Sequence, residues 1–183
     1  MLTLLFQLLI CLIIADFITG LGHWVEDTYG VLSWPWPLRD GVVVPNIDHH
    51  RNPTFIATMS TLITRNYATV IPAVIIGAVF MFFGFWQVAA ILLLSSLGNE
   101  VHSWSHRREN KGIVKFLQDA AIIQTPQQHA RHHKQPYDKY YCTLLNITNA
   151  FLELISFWRG LEWVLRKVFG LEVKRMSPER DGF

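Results

Sequence analysis

The chain has 183 residues, with sixteen Lys and Arg against fourteen Asp and Glu and a formal net charge of +2, and no nucleic-acid partner is expected from it. With 51% hydrophobic and 16% charged residues it is too apolar for an ordinary soluble domain and suits a small membrane protein. Cys11 and Cys142 do not make a disulfide framework or a zinc knuckle, and no glycine-rich phosphate loop or dinucleotide signature is present.

Residues 2–21 are almost wholly apolar, with Asp16 the one charge. About twenty helical residues reach roughly 30 Å, enough to cross a bilayer core. There is no basic segment before this stretch and no small-residue cleavage site after it, so a retained span is expected rather than a signal peptide. Within it and just beyond, Asp16, Gly20, His23 and Asp27 recur at helical spacing and share one face. Asp16 lies in the apolar zone and must be paired or neutral. It reads as support for the bundle or for a neighbouring ligand. Asp27 reads as a metal ligand or as the acceptor that fixes an imidazole tautomer.

His49-His50 follows in a stretch bounded by Pro45 and Pro53, whose backbone the pattern does not define. Asp48 beside it is a candidate for orienting a ligand. Residues 66–99 then carry no charge at all. As one helix they would run to roughly 50 Å, too long for one crossing. A break at Phe83-Gly84-Phe85 gives two helices, 67–82 and 85–105, and Pro72 is tolerable in the first. On the second, Ser95, Asn99, His102 and His106 share a face, and the two histidines are one turn apart. Asn99 is a further candidate supporting residue.

Thr125-Pro126-Gln127-Gln128 is a capping-box pattern with proline at the first helical position. It starts a short helix, ended by Pro136, that puts His129, His132 and His133 on one face. Asp119, with Gln118 beside it, is a weaker candidate for orienting a ligand. Residues 151–169 mix aromatic and aliphatic residues with Arg159, Arg166 and Lys167, which suits an amphipathic helix in the membrane interface or packed on the rest of the chain. Residues 176–183 are polar and are expected to be disordered.

Three spans put all eight histidines and all sixteen Lys and Arg on one side or at its interface, the side that is cytoplasmic by the positive-inside rule. The expectation is an all-α protein, a small integral membrane helical bundle of about three transmembrane helices, multi-pass, with a cytoplasmic histidine-rich cap and an amphipathic C-terminal helix. Residues 1–170 form its single domain and 171–183 a polar tail. The eight histidines, His23, His49, His50, His102, His106, His129, His132 and His133, are candidate metal ligands. They supply about four imidazoles to each of two metals, a set that suits iron as well as zinc and copper. Such a site points to a two-metal oxidase or desaturase.

These motifs resemble those of the plasmanylethanolamine desaturase family, the Kua/CarF-type lipid desaturases. The resemblance rests on Ala15-Asp16-Phe17, Gly20, His23-Trp24, Asp27-Thr28, Gly30, His49-His50 with Pro53, and His102-x-Trp104-Ser105-His106. It continues through Leu117-Gln118-Asp119, His129-x-x-His132-His133-x-x-Pro136, Tyr140-x-Cys142, Phe157-Trp158-Arg159 and Leu161-Glu162. It implies a membrane enzyme with two iron ions that uses O₂ to desaturate a lipid chain. In this family the chain is the alkyl ether of a plasmanyl phospholipid, giving the vinyl ether of a plasmalogen, or, in a plastid branch, an acyl chain of phosphatidylglycerol. It also implies an external electron-transfer protein of the cytochrome b5 or ferredoxin type. Arg51, Arg107, Arg108 and Arg131 are candidate headgroup contacts. Three other readings remain: a di-iron lipid hydroxylase, an acyltransferase using His133 and Asp138 in an H-x₄-D pattern, and a non-enzymatic metal-binding membrane protein.

Overall fold

The computed structural model describes residues 1–58 and 62–181, and the side chains among them other than those of 62–68 and 179. Among these residues the fold is all helical apart from one isolated antiparallel bridge between Ile123 and Leu145. Helix α1 spans Leu2–Tyr29; a short π-helical turn, Arg39–Val43, leads into α2, Val44–Arg51; and a single turn, α3, covers Phe55–Thr58. Helices α4, Leu62–Phe82, and α5, Trp86–Ser95, form a hairpin that packs on α1. Five shorter helices complete the core of the fold: α6, Gly98–Ser105; α7, Gly112–Asp119; α8, Pro126–His132; α9, Asn146–Leu154; and α10, Phe157–Phe169. One last turn, α11, covers Pro178–Asp181.

The α4–α5 turn falls at the expected break. Gly84 has φ +81°, a conformation that a residue with a Cβ adopts only under strain. The first third of α4, including Arg65, Asn66 and Tyr67, has side chains outside the described residues. Small residues draw the apolar helices together: Gly77 faces Ala89 across α4 and α5, and buried Cys11 and Ala15 of α1 meet the backbone and Ser95 of α5. The opposite faces are bare, with Leu5, Phe6, Leu9 and Ile13 on α1 and Val74, Ile75, Val79 and Phe82 on α4 all exposed. Among the described residues α1 is the one helix long and apolar enough to cross a membrane; the apolar stretch Thr69–Phe82 is shorter.

Three expectations are revised. The helix expected over 85–105 is two. Ser95 and Ser96 donate their hydroxyls back to the carbonyls of Ile91 and Leu93, at 2.8 and 2.7 Å, and Leu97 leaves the helical region at φ −87°, ψ 0°. Gly98 restarts the chain as α6 where a Cβ would stand 3.0 Å from Thr143 and Thr19. Residues 151–169 likewise break at Ser156, whose φ is +53°. Helix α10 then buries Trp158 and Glu162 against Trp24 and Tyr141 while Trp163, Val168 and Phe169 stay exposed. Finally, the C-terminal segment is not free of the core. Lys174 and Met176 donate backbone N–H groups to the carbonyls of Thr28 and Asp27, at 2.9 and 2.8 Å, and so supply partners that the end of α1 lacks. Met176 is buried with Val43, Ile47 and Tyr137. Residues 182–183 of the tail lie outside the described residues.

The polar stripe of α1 docks on an irregular segment, 137–145. The Asp16 carboxylate accepts the Leu144 N–H at 2.7 Å, the Thr19 hydroxyl oxygen accepts the Thr143 N–H at 3.2 Å, and His23 Nδ1 lies 3.1 Å from the Tyr141 carbonyl. Asp16 thus supports the bundle rather than facing the histidines. Gly20 sits between these contacts; a Cβ there would lie 2.5 Å from the Cys142 sulfur and 3.1 Å from its backbone nitrogen. Gly20→Ala is therefore expected to destabilise the fold by about 1–3 kcal/mol, the usual range for overpacking. Thermal unfolding of the detergent-solubilised variant would show it, and a midpoint equal to wild type would refute the close docking.

Candidate metal centre

The eight histidines come together from four helices and divide into two adjoining groups. His49 of α2, His102 and His106 from α6 and its C-terminal cap, and His129 and His133 from α8 and its cap make the first group. The second is His23 and Asp27 of α1, His50 of α2 and His132 of α8. In each group, one ligand atom from every member lies within 4.8 Å of all the others. The division is five imidazoles against three and a carboxylate, rather than four against four. Both histidine doublets straddle it. Consecutive helix positions point about 100° apart, so His49 and His50, and His132 and His133, each send one ring to either group.

In the first group the Nε2 atoms of His102, His106 and His129 form a triangle with sides of 2.7, 2.8 and 3.2 Å, and His133 Nε2 is 2.9 Å from that of His129. An imidazole nitrogen has one in-plane direction for its proton or lone pair, so it cannot bond well to two neighbours at once. Convergence of this kind suits a shared cation, since donors about 2.1 Å from a metal stand roughly 3 Å apart. Both nitrogens of His49 are buried without a hydrogen-bond partner.

The second group is short of protons. His23 and His132 have their Nδ1 atoms 3.1 and 2.9 Å from the carbonyls of Tyr141 and Lys139. A carbonyl only accepts, so each Nδ1 carries the proton and each Nε2 presents a lone pair. Those lone pairs face the Asp27 carboxylate, at 3.8 Å from His23 and 3.2 Å from His132, and His50 Nε2 lies 3.3 Å from it. Neither His23 nor His132 can donate to it, and Asp27 Oδ2 and the Nε2 atoms of His23 and His132 are buried with no hydrogen-bond partner. Asn46 donates to Asp27 Oδ1 at 2.7 Å and holds the carboxylate in place. Two lone pairs, the His50 ring nitrogen and a carboxylate converging in a buried space fit a divalent metal ion.

The remaining sequence candidates lie elsewhere. Asp48 pairs with Arg51 at 3.4 Å on the surface, and Asp119 pairs with Lys115 at 2.6 Å, so neither orients a ligand. Asn99, in the first turn of α6, is exposed. Gln118 is buried and donates to the Gln124 carbonyl at 3.2 Å. Arg107 contacts Glu100 at 3.3 Å, and Arg108 is exposed. Arg131 donates to the Tyr140 hydroxyl at 3.2 Å and lies over that ring. Asp138 stands 4.0 Å from Arg159 while His133 turns into the first group, which leaves no paired base for the acyltransferase reading. Sequence reasoning missed Asn46 and the two carbonyl acceptors. Asn46 is one turn before His49-His50, a usable clue; backbone acceptors leave no mark in side-chain pattern.

Helix α8 and its C-terminal cap hold three of the ligand candidates, and the start of the helix is as expected: Thr125 accepts the Gln128 N–H at 3.2 Å with Pro126 next in line. The Gln128 side chain does not return to Thr125 but donates to the Asn146 carbonyl at 2.7 Å, tying α8 to α9. Burial pushes His49, His129 and His132 well below the usual imidazole range and lowers His133 too, with neighbouring rings adding to each shift.

Residues 12–176 match the family model of the lipid desaturase domain. The chain is 30% identical to the plasmanylethanolamine desaturase of Myxococcus xanthus over 92% of its own length and 62% of the relative's. It is 28% identical to plasmanylethanolamine desaturase 1 of Mus musculus, over 86% and 63%. With the chloroplastic fatty acid desaturase 4 of Arabidopsis thaliana it shares 30% identity over 92% and 54%. The chain thus spans less than two thirds of the length of these relatives. No solved structure matches it.

The lowered imidazoles set a pH dependence. A histidine kept neutral in the fold but protonated in the unfolded chain below pH about 6.5 favours unfolding as the pH falls. Metal-free protein is therefore expected to be most stable above pH 6.5, and to lose up to about 1.4 kcal/mol per pH unit for each such histidine below it. Thermal unfolding from pH 7.5 to 5.5 reads this directly, and a flat profile would refute the burial of neutral imidazoles.

Proposed function

The chain belongs to the lipid desaturase family, and from that premise we propose that it is an O₂-dependent, non-haem di-iron membrane desaturase that introduces a double bond into a lipid chain. The observation that carries this reading is the pair of adjoining histidine groups, one of five imidazoles and one of three with Asp27. The first group would hold one iron and the second the other. When bound, two irons supply the activation of O₂ and the removal of hydrogen from neighbouring carbons. Overall, a CH₂–CH₂ unit, O₂, two electrons and two protons give CH=CH and two waters. The electrons come from an external carrier of the cytochrome b5 or ferredoxin type.

The chain's own residues do the positioning. The Tyr141 and Lys139 carbonyls fix the tautomers of His23 and His132, and Asn46 fixes Asp27. Helices α1, α4 and α5, with α6 continuing from α5, are read as three membrane passes. The bare apolar faces of α1 and α4 and the absence of Lys and Arg from the opposite side support this reading, in which the histidines lie at the cytoplasmic face.

The substrate is the alkyl ether chain of a plasmanyl phospholipid, converted to a vinyl ether. The Myxococcus and mouse relatives support this by name. The equal identity to the Arabidopsis fatty acid desaturase favours a second reading, in which an acyl chain is desaturated. Expression in cells supplied with an alkylglycerol separates the two: acid-labile vinyl ethers mark the first, an unsaturated acyl chain the second, and a product heavier by one oxygen a hydroxylase. His102→Ala is expected to abolish product. Purified protein should carry about two irons per chain; stoichiometric zinc instead would overturn the reading. Asn46→Ala leaves every ligand candidate in place but frees Asp27, and is expected to weaken iron binding at one of the two sites about 10- to 100-fold, read by chelator competition.

A further inference from the structure

The first histidine group opens to the surface through a groove of about 680 Å³, with His106 in its wall and Arg107 and Arg108 beside it. His49, His102 and His129 are buried, whereas His106 and His133 are partly exposed, and the groove reaches the group at His106. Arg107 uses one nitrogen on Glu100, which leaves most of its five N–H donors for another partner. Arg108 is exposed, with no ion pair among the described residues. A second groove of about 500 Å³ meets the first at the same two arginines and adds Lys111 and Lys115. Glu109 also lines both grooves, and Asp119 lines the second but is already held by Lys115. The cations remain in excess.

We propose that this groove seats a phospholipid headgroup, with its phosphodiester held by Arg107 and Arg108 and its chain led past His106 to the first histidine group. The proposal rests on the lipid desaturase reading and adds to it the two residues that hold the phosphate and the groove through which the chain enters. Guanidinium forks match phosphate oxygens two at a time, which suits a site that must hold one end of a long flexible molecule while the other end reacts. The other two candidate arginines are otherwise placed. Arg51 sits on the surface with Asp48, and Arg131 lies against Tyr140; neither lines the groove.

The test is calorimetric titration of the metal-loaded, detergent-solubilised protein with dihexanoyl phosphatidylglycerol. Dihexanoylglycerol, which lacks the phosphate, and inorganic phosphate, which lacks the chains, are the controls. Arg108→Gln, at an exposed site that the fold does not need, is expected to weaken phospholipid binding about three- to tenfold, and Arg107→Gln/Arg108→Gln more than tenfold. Arg131→Gln should leave it unchanged. Dihexanoylglycerol should bind more weakly and equally to all variants, and inorganic phosphate weakly. Equal binding of the phospholipid to wild type and the double variant overturns the proposal, as does equal affinity for the lipid without phosphate. A double variant that binds lipid normally but turns over slowly would assign the arginines to an acidic protein partner instead. Iron content and product are measured on the same samples. Arginine-dependent binding without iron or desaturated product would sink the desaturase reading and leave the groove standing; iron and product without arginine-dependent binding would do the reverse.

Discussion

The buried carboxylate of Asp27 sets the conditions that the rest of the fold meets. It has no exposure, lies at the end of an apolar helix, and faces three imidazole nitrogens at 3.2–3.8 Å. Two of these carry no proton, because their Nδ1 atoms are committed to carbonyls. The Asn46 amide satisfies one oxygen and nothing satisfies the other. A charge left in that position would cost several kcal/mol without a partner. The arrangement makes physical sense around a cation, and the surroundings hold the carboxylate where the cation needs it. Helix α2 brings Asn46 and His50, α8 brings His132, and the C-terminal segment closes on the carbonyls of Asp27 and Thr28.

That requirement explains why the segment 137–145 is irregular in an otherwise helical protein. A helix consumes its own carbonyls. Here the Lys139 and Tyr141 carbonyls must be free for imidazoles, and the Leu144 N–H for Asp16. An extended backbone in a buried place must then find partners for everything left over. Asn149 does most of this, accepting the Cys142 N–H at 2.9 Å and donating to the Cys142 carbonyl at 2.7 Å, and Gln124 donates to that same carbonyl at 2.8 Å. Ser105 and Gln118 hold Gln124 in turn. The polar residues of α6, α7 and α9 are thus a frame for one strip of backbone.

Much of this was legible. The stripe Asp16, Gly20, His23, Asp27 is a helix face because nothing interrupts α1, and the Thr125-Pro126 start of α8 is a local signal that tertiary contacts had no reason to override. The errors came where local pattern and packing disagree. Periodicity carried the helix through Ser95 and Ser96, but their hydroxyls bend the chain and Gly98 must fit beneath Thr143. Asp48 and Asp119 look like supporting acids in sequence, yet each has a cation three or four positions on or back and pairs with it at the surface. The C-terminal segment reads as polar, but its backbone N–H groups, invisible in composition, tie it to α1.

The two groups also differ in charge, which equal shares of histidine would not have given. Five neutral imidazoles make the first; the second holds a carboxylate as well. An anion in a low-dielectric place strengthens the hold on a divalent ion and donates more electron density to it. Two identical ions in these groups would therefore not be equivalent: the one beside Asp27 would be the richer in electrons. The other, served by imidazole alone, would keep more of its positive charge. It is this poorer group that opens at His106 to the groove, while the Asp27 group is sealed by α1, Tyr141 and the C-terminal segment. Because His49-His50 and His132-His133 each supply one ring to both, neither group can shift without the other, and the asymmetry between them is fixed by the two doublets rather than left to the loops.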